Sequence, residues 1–514
     1  MTAVHTQTVH ELLENGAADA VAIAAVERPP LSFARLRALV RDTVVALNRL
    51  GYGRGDAIAI VLPNGPEMAT AFLSVASAGV SAPLNPAYVD DEFEFYLSDL
   101  QAKALIVEAG SDSPAVEVAR MLGVPIVELV KDEAGPAGAF TLRGPDGTTV
   151  APSPDAAPDL AQPDDVGLIL HTSGTTSRPK QVPLRQRNLA ASARHIGETL
   201  SLTASDRCMN IMPLFHIHGL IAATLSSLAA GGSVFCTPGF NALRFFAWLD
   251  EAHPSWYTAV PTMHQAILTR ADRNAESIAR NPLRLIRSSS ASLPPQVMAQ
   301  LEATFNAPVI ESYGMTEAAH QMASNPLPPR ARKPGSVGVA AGPQVGIMDE
   351  AGELLEPGET GEVVIQGPNV TAGYVNNEKA NAEAFTNGWF RTGDQGYLDP
   401  EGYLWLTGRL KEIINRGGEK ISPREIDEVL LDHPAVAQVC TFAMPHDRLG
   451  EDVAAAVVLV EGIPASERDL RDFCAGRLAD FKVPRKVVIL PEIPKGATGK
   501  IQRIGLAEKL GLGT

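Results

Sequence analysis

The chain has 514 residues, too many for one ordinary hydrophobic core, and its length predicts roughly two to four domains. Its composition, 45% hydrophobic and 20% charged, is typical of a globular protein, and it contains no run of about 18 or more apolar residues that would predict a membrane span. The formal net charge of −16 argues against nucleic-acid binding, which requires a basic surface.

The four cysteines are far apart and none forms a C-x-x-C pair, so we expect no zinc site. Their apolar neighbourhoods, as in Val234-Phe235-Cys236, predict reduced thiols in the core of a cytoplasmic protein. The first residues do not have the pattern of a signal peptide, and the last three do not form a peroxisomal signal.

Short apolar runs alternate with helical patterns along most of the chain. The predicted strands are 56–62, 103–108, 166–171 and 233–236, and 66–78 is a predicted helix. This alternation favours α/β layers with mainly parallel sheets. Residues 131–165 are rich in Pro, Gly, Ala and Asp, and we expect them to form a connection across the surface.

The pattern changes between residues 337 and 406, where predicted strands at 362–366 and 402–406 are separated by Gly-rich turns. Beyond a boundary near Gly408, a helix is predicted at 423–431, with Ser422 as its N-cap and Pro423 at its first position. A further strand is predicted at 453–460. We therefore predict an α/β protein with a large N-terminal domain, 1–408, made of two α/β subdomains and a small β-rich subdomain, followed by a small α+β domain, 409–514.

The run from Thr172 to Lys180 follows a predicted strand and is the most informative stretch of the chain. Its small residues allow backbone N–H groups to approach an anion, its hydroxyls add donors, and Lys180 adds a mobile cation. The order differs from the Walker pattern, because no Ser or Thr follows the lysine. The stretch predicts a phosphate-binding loop of another kind, and the alternative is a polar surface turn.

Four further motifs follow this loop in order. They are Tyr313-Gly314-Met315-Thr316-Glu317, Arg391-Thr392-Gly393-Asp394, Gly408-Arg409-Leu410-Lys411-Glu412 and Pro494-Lys495-Gly496-Ala497-Thr498-Gly499-Lys500. Together with the loop, they resemble the adenylate-forming superfamily of acyl-CoA synthetases, peptide-synthetase adenylation domains and beetle luciferases, over essentially the whole chain.

The resemblance implies an enzyme with ATP, a small carboxylic acid and coenzyme A as substrates and Mg²⁺ as cofactor. The carboxylate would attack the α-phosphate of ATP, and magnesium pyrophosphate would leave. The coenzyme A thiol would then attack the acyl-adenylate. The first step depends more on neutralising phosphate charge than on a general base.

The resemblance also assigns roles to individual residues. Glu317 would bind magnesium, Thr316 would reach the α-phosphate, and Tyr313 would stack on adenine. Asp394 would accept the ribose hydroxyls with help from Arg409. The nucleotide-binding set would be Thr172, Ser173, Gly174, Thr175, Thr176, Lys180, Ala291, Glu311, Ser312, Tyr313, Gly314, Met315, Thr316, Asp394, Arg409 and Lys500.

Lys500 lies far along the chain from the loop, and the family brings such a lysine to the site by rotating a mobile C-terminal domain. Lys500 would bridge the acid and the α-phosphate, and Lys411 would be the hinge. The pantetheine arm of coenzyme A would run past Arg416, Gly417 and Gly418, where glycine allows close approach of the backbone. The alternatives are a turn-capping role for Asp394, a boundary ion pair for Arg409 and a solvated surface position for Lys500.

Two positions depart from the commonest pattern of the family, which has glycine at both. Ser177 is small enough for a tight loop. Gln181 adds bulk next to Lys180, and we expect it to alter the mobility of the loop or to slow the first step without abolishing the site.

The acid pocket would be lined by 213–219, 287–291 and 318–322, which supply the polar side chains of His216, His218, Ser288, Ser289, Ser290, His320 and Gln321. A fatty-acid or aryl-acid enzyme would place apolar residues there, whereas this set suits a small acid with a second carboxylate.

Four stretches, 171–180, 213–219, 256–262 and 415–423, resemble the oxalate–CoA ligase branch of the family. That resemblance implies that Ser289 or Ser290, together with His320, holds the distal carboxylate, and that His216 lines the pocket near the reacting one. A buried structural role is the alternative for both His216 and His320.

Other activities share these motifs. Ligation of malonate or another short acid, loading of a carrier protein, a luciferase-like oxygenase and a catalytically inactive nucleotide-binding regulator remain open. The polar pocket argues against a large aromatic luciferin, and the presence of Glu317 and Lys500 argues against an inactive regulator. We expect a monomer or homodimer without a membrane or nucleic-acid partner.

Overall fold

The computed structural model describes residues 6–150, 156–172, 179–494 and 501–513. The chain divides into two compact units. The first contains Met1–Thr172, Lys180–Val345 and Ile365–Phe390, and the second contains Gly346–Val364 and Arg391–Thr514. The boundary proposed from the sequence, between 408 and 409, is a different division of the chain and stays a prediction.

The strands are β1 (Val21–Ala25), β2 (Arg28–Ser32), β3 (Ala57–Val61), β4 (Val80–Pro83), β5 (Ala104–Glu108), β6 (Ile126–Lys131), β7 (Phe140–Arg143), β8 (Val166–Thr172), β9 (Lys180–Arg185), β10 (Arg207–Asn210), β11 (Ser233–Cys236), β12 (Trp256–Ala259), β13 (Leu285–Ser288), β14 (Val309–Met315), β15 (His320–Ser324), β16 (Val339–Ala340), β17 (Gln344–Met348), β18 (Gly361–Gln366), β19 (Phe385–Thr386), β20 (Trp389–Leu398), β21 (Leu404–Arg409), β22 (Ile414–Arg416), β23 (Glu419–Ile421), β24 (Val436–His446), β25 (Gly450–Leu459) and β26 (Lys486–Ile489).

The α-helices are α1 (Val9–Leu12), α2 (Phe33–Arg49), α3 (Pro66–Ala78), α4 (Asp90–Asp99), α5 (Pro114–Leu122), α6 (Gln186–Thr199), α7 (Ser226–Ala229), α8 (Phe245–Ala252), α9 (Pro261–Ala271), α10 (Ala275–Arg280), α11 (Pro295–Phe305), α12 (Glu378–Ala384), α13 (Pro423–Leu431), α14 (Glu467–Ala475) and α15 (Leu506–Lys509). A π-helix, His218–Leu225, leads directly into α7. Short 3₁₀ turns include Thr316–Ala318 and Leu410–Glu412.

Two mainly parallel sheets form the first unit, as the alternating pattern predicts. One has the order β7-β6-β5-β3-β4-β8-β9 and the other β16-β15-β14-β13-β12-β10-β11-β1-β2, with antiparallel strands at their edges. The second sheet presents the carboxyl ends of β10, β12, β13 and β14 side by side. Ligands bind at such an edge in open α/β sheets. The α/β fold prediction is confirmed.

A smaller antiparallel sheet has the order β17-β18-β20-β19, with β21 paired to β20, and corresponds to the predicted β-rich subdomain. A further sheet in the second unit has the order β23-β22-β25-β24, with β26 beside β25. Alternate residues of β24 and β25 enter two separate apolar clusters of the second unit, as strand geometry requires. The predicted α+β character of the C-terminal region is confirmed.

Two local expectations need correction. Residues 131–165 are more than a surface connection, because β7 lies within them and pairs antiparallel with β6. Ser422 occupies the N-cap position of α13 as predicted, but its side chain does not cap the helix. Its hydroxyl donates to the carbonyl oxygen of Thr407 instead, a bond within the second unit that sequence spacing could not reveal.

The four cysteines are buried and free, as expected of reduced core thiols. Among the described residues, no helix combines the length and the apolar character that a membrane span requires.

A buried ion pair holds the end of the second unit. Arg503 donates to Asp427 at 2.7 Å and lies 3.3 Å from Glu412, the residue after the predicted hinge Lys411. Burial raises the pKa of the Asp427 carboxyl, while the neighbouring guanidinium of Arg503 opposes that shift. The pair therefore attaches the segment that follows Lys500 to the body of the second unit.

We predict that Arg503→Met lowers the stability of the second unit by about 3 kcal/mol, because it leaves the Asp427 carboxyl buried without its cation. Hydrogen exchange of the β24 amides would measure this loss, with the β3 amides as internal reference. Arg468→Met is the matched control, since Arg468 is exposed and its ion pair is with Asp472 in the next helical turn. Equal protection of β24 in both variants would contradict the prediction.

Candidate active site

The phosphate-loop motif joins two adjacent antiparallel strands. β8 ends at Thr172 and β9 begins at Lys180, and these two residues are opposite each other in the ladder. The Thr172 hydroxyl lies 3.5 Å from the Lys180 carbonyl oxygen. The predicted phosphate ligands Ser173, Gly174, Thr175 and Thr176 lie outside the described residues, as does Lys500.

Tyr374, a residue not selected from the sequence, contacts both Lys180 and Glu317. The Lys180 Nζ atom lies 4.2 Å from the centroid of the Tyr374 ring, and the Tyr374 hydroxyl donates to Glu317 Oε1 at 2.9 Å. Burial and the Glu317 carboxylate raise the pKa of Tyr374, so that its hydroxyl stays protonated and remains a donor. A Lys180–Tyr374–Glu317 chain thus holds a cation and a carboxylate on the same tyrosine.

The expected effect of Gln181 on the phosphate loop stays a prediction, because residues 173–178 lie outside the described residues. Gln181 points away from Lys180, because side chains alternate along a strand, and its amide donates to the backbone and side-chain oxygens of Asp99 at 2.6 and 2.8 Å. His171 contacts the same Asp99 carboxylate at 2.9 Å. Gln181 therefore connects the base of the loop to the end of α4.

We predict that Gln181→Ala destabilises the protein by about 1–2 kcal/mol through the lost hydrogen bonds and changes the rate of the first step less than threefold. Thermal unfolding and ATP-dependent pyrophosphate release measure the two effects. Gln162→Ala is the control, because Gln162 is exposed and its side-chain amide donates to the carbonyl oxygen of the nearby Leu160. A large rate change without loss of stability would instead support the earlier expectation of a direct effect on the loop.

The adenine motif lies on β14 and is fixed to β13 by reciprocal hydrogen bonds. Ser289 Oγ donates to the Ser312 carbonyl oxygen at 3.0 Å, and Ser312 Oγ donates to the Ser288 carbonyl oxygen at 3.3 Å. Glu311 accepts a bond from the Leu293 amide at 2.9 Å. These bonds orient the carboxyl end of β14, where Tyr313 is buried and Met315 and Thr316 are half-buried.

Gly314 is required by its close neighbour on β15, since a Cβ there would collide with the carbonyl group of His320. Thr316 and Glu317 follow in a 3₁₀ turn, and Ala291 is exposed beyond the end of β13.

A buried polar cluster lies directly behind the adenine motif. His218, at the first position of the π-helix, lies 3.0 Å from Ser290 Oγ through Nδ1 and 2.6 Å from Thr258 Oγ1 through Nε2. The rings of His218 and His320 are 5.0 Å apart. π-helical segments occur frequently at functional sites, and this one directs His218 into the cluster.

His320 and Arg287 complete the cluster. The Arg287 guanidinium donates to His320 Nδ1 and to Gln321 Oε1, both at 3.4 Å. His320 has a φ of +102°, which L residues rarely adopt and which is enriched at functional positions. Burial lowers the pKa of His320 and of His218 well below the usual range, so that both rings are neutral near pH 7.

His216 lies on the loop between β10 and the π-helix and is half-buried against Phe215, with ring centroids 4.9 Å apart. Burial lowers the pKa of His218, and electrostatic repulsion from His216 is a smaller cause in the same direction. A cavity of about 180 Å³ beside Phe215 is lined mainly by apolar residues and contains none of the predicted acid-binding residues. The cavity and the polar cluster are therefore separate features of the first unit.

The predicted ribose-binding residues face each other in the second unit. Asp394 on β20 and Arg409 on β21 are paired in the ladder, and Arg409 Nε lies 3.1 Å from Asp394 Oδ1. The backbone amide of Asp394 donates to Thr392 Oγ1 at 3.1 Å, and this hydrogen bond also fixes the position of Asp394. The carboxylate is thus buried and oriented by a half-exposed arginine.

The remaining predicted residues of the second unit lie on its surface. Lys411 is exposed in the 3₁₀ turn after β21. Arg416 pairs with Asp452 at 2.7 Å, while Gly417 and Gly418 form the β22–β23 turn with φ of +61° and +104°. Only glycine adopts such a pair of conformations at low cost, and the turn leaves an exposed strip of backbone.

Two residues important to these arrangements were not selected from the sequence. Tyr374 had no motif around it. Arg287 lay in a segment named as a pocket lining, 287–291, but was not chosen individually. The available signal was Arg287 itself, since an arginine in an apolar strand is rarely fully buried without a partner.

Comparisons with known proteins show which family the chain belongs to. A family model described as AMP-binding enzyme matches residues 13–375, and one described as AMP-binding enzyme C-terminal domain matches 425–500. An oxalate–CoA ligase of Arabidopsis thaliana is 46% identical over 507 residues, covering 97% of this chain and 98% of that protein. One of Saccharomyces cerevisiae is 45% identical over 475 residues, covering 88% and 87%. The crystal structure of ATP-bound MatB from Rhodopseudomonas palustris has a TM-score of 0.88, 28% identity and 98% coverage of both chains.

Proposed function

Because this chain belongs to the AMP-binding enzyme family, we propose that it activates oxalate with ATP and transfers the oxalyl group to coenzyme A. AMP and pyrophosphate would be released. The observation that carries the choice of acid is the buried cluster of His218, Arg287 and His320 behind the adenine motif, because its donors suit a second anionic group. Two relatives that are named oxalate–CoA ligases and align over most of the chain support the same choice.

In the proposed first step, the loop and Lys180 hold the β- and γ-phosphates of ATP. Glu317 is the residue suited to Mg²⁺, since it is a buried carboxylate and magnesium combines one or two carboxylates with phosphate oxygens. The bound ion would neutralise phosphate charge. Thr316 reaches the α-phosphate, while Tyr374 fixes the Glu317 carboxylate relative to Lys180.

The proposed acid site uses the predicted residues in different ways. His320 and Ser290 face the acid, whereas the hydroxyl of Ser289 is engaged with the Ser312 carbonyl oxygen and braces the strand end. His216 lines the opening near the reacting carboxylate. Because burial lowers the pKa of His320, its neutral ring can donate one hydrogen bond without adding charge.

The second step is proposed to use the C-terminal domain in another orientation. In this proposal the domain begins at 409, Lys411 is the hinge, and Lys500 acts only in adenylate formation. Gly417 and Gly418, with Arg416 beside them, would pass the pantetheine arm, because their turn offers exposed backbone without side chains. Asp394 and Arg409 would hold the ribose.

The test is ATP-dependent pyrophosphate release across a panel of oxalate, malonate, succinate, acetate, an amino acid and an aryl acid, each with and without coenzyme A. We expect turnover with oxalate and stimulation by coenzyme A. Turnover with a monocarboxylate or aryl acid and none with oxalate would refute the proposed acid. Malonate turnover would favour the alternative of another short dicarboxylate, and stimulation by a carrier protein but not by coenzyme A would favour carrier loading.

The cytoplasmic location and the monomer or homodimer state stay predictions. Centrifugation of the purified protein at two concentrations would distinguish the two oligomeric states.

A further inference from the structure

The guanidinium of Arg287 is fully buried and only partly hydrogen-bonded. One terminal nitrogen donates to His320 and Gln321, while Nε and the other terminal nitrogen have no partner in the described part of the chain. No carboxylate of the described residues lies within ion-pair distance of it. A buried charge in this state is costly, and such a cost points to a partner that arrives with a ligand.

Arg287 is positively charged, whereas the titratable groups around it in the cluster are neutral. Burial lowers its pKa to about 9, which still keeps it protonated at neutral pH. His218 and His320 are neutral, and the thiol of Cys208 is also neutral because burial raises its pKa well above the usual value. The cluster therefore carries one uncompensated positive charge.

Arg287 also determines which nitrogen of His320 carries the proton. A guanidinium has no acceptor, so the Nδ1 atom that it contacts must accept, and the proton of the neutral ring is on Nε2. That Nε2 atom is buried and has no partner among the described residues. The cluster thus holds three nitrogens with N–H groups available: Arg287 Nε, Arg287 Nη1 and His320 Nε2.

We propose that Arg287 is the specificity-determining residue of the acid site, where its guanidinium pairs with the second carboxylate of a short dicarboxylate and His320 Nε2 donates to the same group. This inference rests on the proposed function and identifies the source of its selectivity. A neutral group of equal size would leave the charge unpaired and would bind much more weakly. Arg287, His218 and His320 are fully or almost fully buried, which limits an acid bound among them to a short one.

Oxalate and oxamate test this inference, because oxamate replaces one carboxylate by an uncharged amide of similar size. The wild-type protein, Arg287→Met and Arg287→Lys are compared by the ratio of kcat/KM for the two acids in pyrophosphate release. Arg284→Met is the matched control: Arg284 directly precedes β13 but is already paired with Asp206 at 2.9 Å. Binding of ATP to each variant, measured by titration calorimetry, verifies that the nucleotide site is intact.

We expect the oxalate-to-oxamate ratio to fall by about 30-fold or more in Arg287→Met, mainly through KM for oxalate, and to be unchanged in Arg284→Met. An unchanged ratio in a variant that binds ATP would overturn the inference. Arg287→Lys retains the positive charge but not the planar guanidinium group, and we expect it to show an intermediate oxalate-to-oxamate ratio. This variant tests the inference if Arg287→Met does not fold. Absence of oxalate turnover in the wild-type protein would instead refute the proposed function.

Discussion

Lys500→Ala is expected to reduce adenylate formation from oxalate and ATP by at least about 100-fold while leaving thioester formation from preformed oxalyl-adenylate within about threefold of the wild-type rate. The proposed role of Lys500 is to neutralise charge between the attacking carboxylate and the α-phosphate. Removing one such charge from a water-excluded site costs about 10²–10³ in rate. The second step would use a different orientation of the domain and would not need this lysine.

The two half-reactions are measured separately by single-turnover kinetics. Lys509→Ala is the control, since Lys509 is an exposed lysine at the end of α15 in the same domain. Equal loss of both half-reactions would contradict the proposed alternation.

Glu317→Gln is the second substitution for which we expect a large effect, a loss of about 100-fold or more in pyrophosphate release together with a higher Mg²⁺ requirement. The amide removes the negative charge that a hard cation needs and cannot replace the carboxylate acceptor of the Tyr374 hydroxyl equally well. Titration of activity with Mg²⁺ measures both effects.

Two further variants define the origin of that loss. Tyr374→Phe keeps the carboxylate but releases it from the hydroxyl, and a loss of about tenfold is expected. Glu378→Gln, at an exposed position that begins α12, should have no effect. A wild-type Mg²⁺ requirement in Glu317→Gln would exclude Glu317 as the metal ligand.

Most of the fold could be predicted from the sequence, because the patterns that predict helices and strands are local. The predicted helices 66–78 and 423–431 coincide with α3 and α13, and most predicted strands agree with the structure within two residues. Each depends on a short periodic pattern with clear end signals. The strand β7 was missed because it has four residues and lies among Gly and Pro.

The sequence predicted site residues only where a motif marks them. Asp394 and Arg409 were both named, and their pairing across β20 and β21 follows from strand register, which the sequence does not give. Tyr374 and Arg287 act through contacts to residues 57 and 33 positions away. No spacing rule predicts such contacts. Gln181 was judged by its size, and its hydrogen bonds to Asp99 are a further contact that no spacing rule predicts.

A competition experiment tests most directly whether this chain makes oxalyl-CoA. The protein is given ATP, Mg²⁺, coenzyme A and equal concentrations of oxalate, malonate, succinate and acetate, and the thioesters are identified by mass spectrometry. We predict that oxalyl-CoA is the main product. A mixture in which malonyl-CoA or acetyl-CoA predominates, with little or no oxalyl-CoA, would contradict the proposed function.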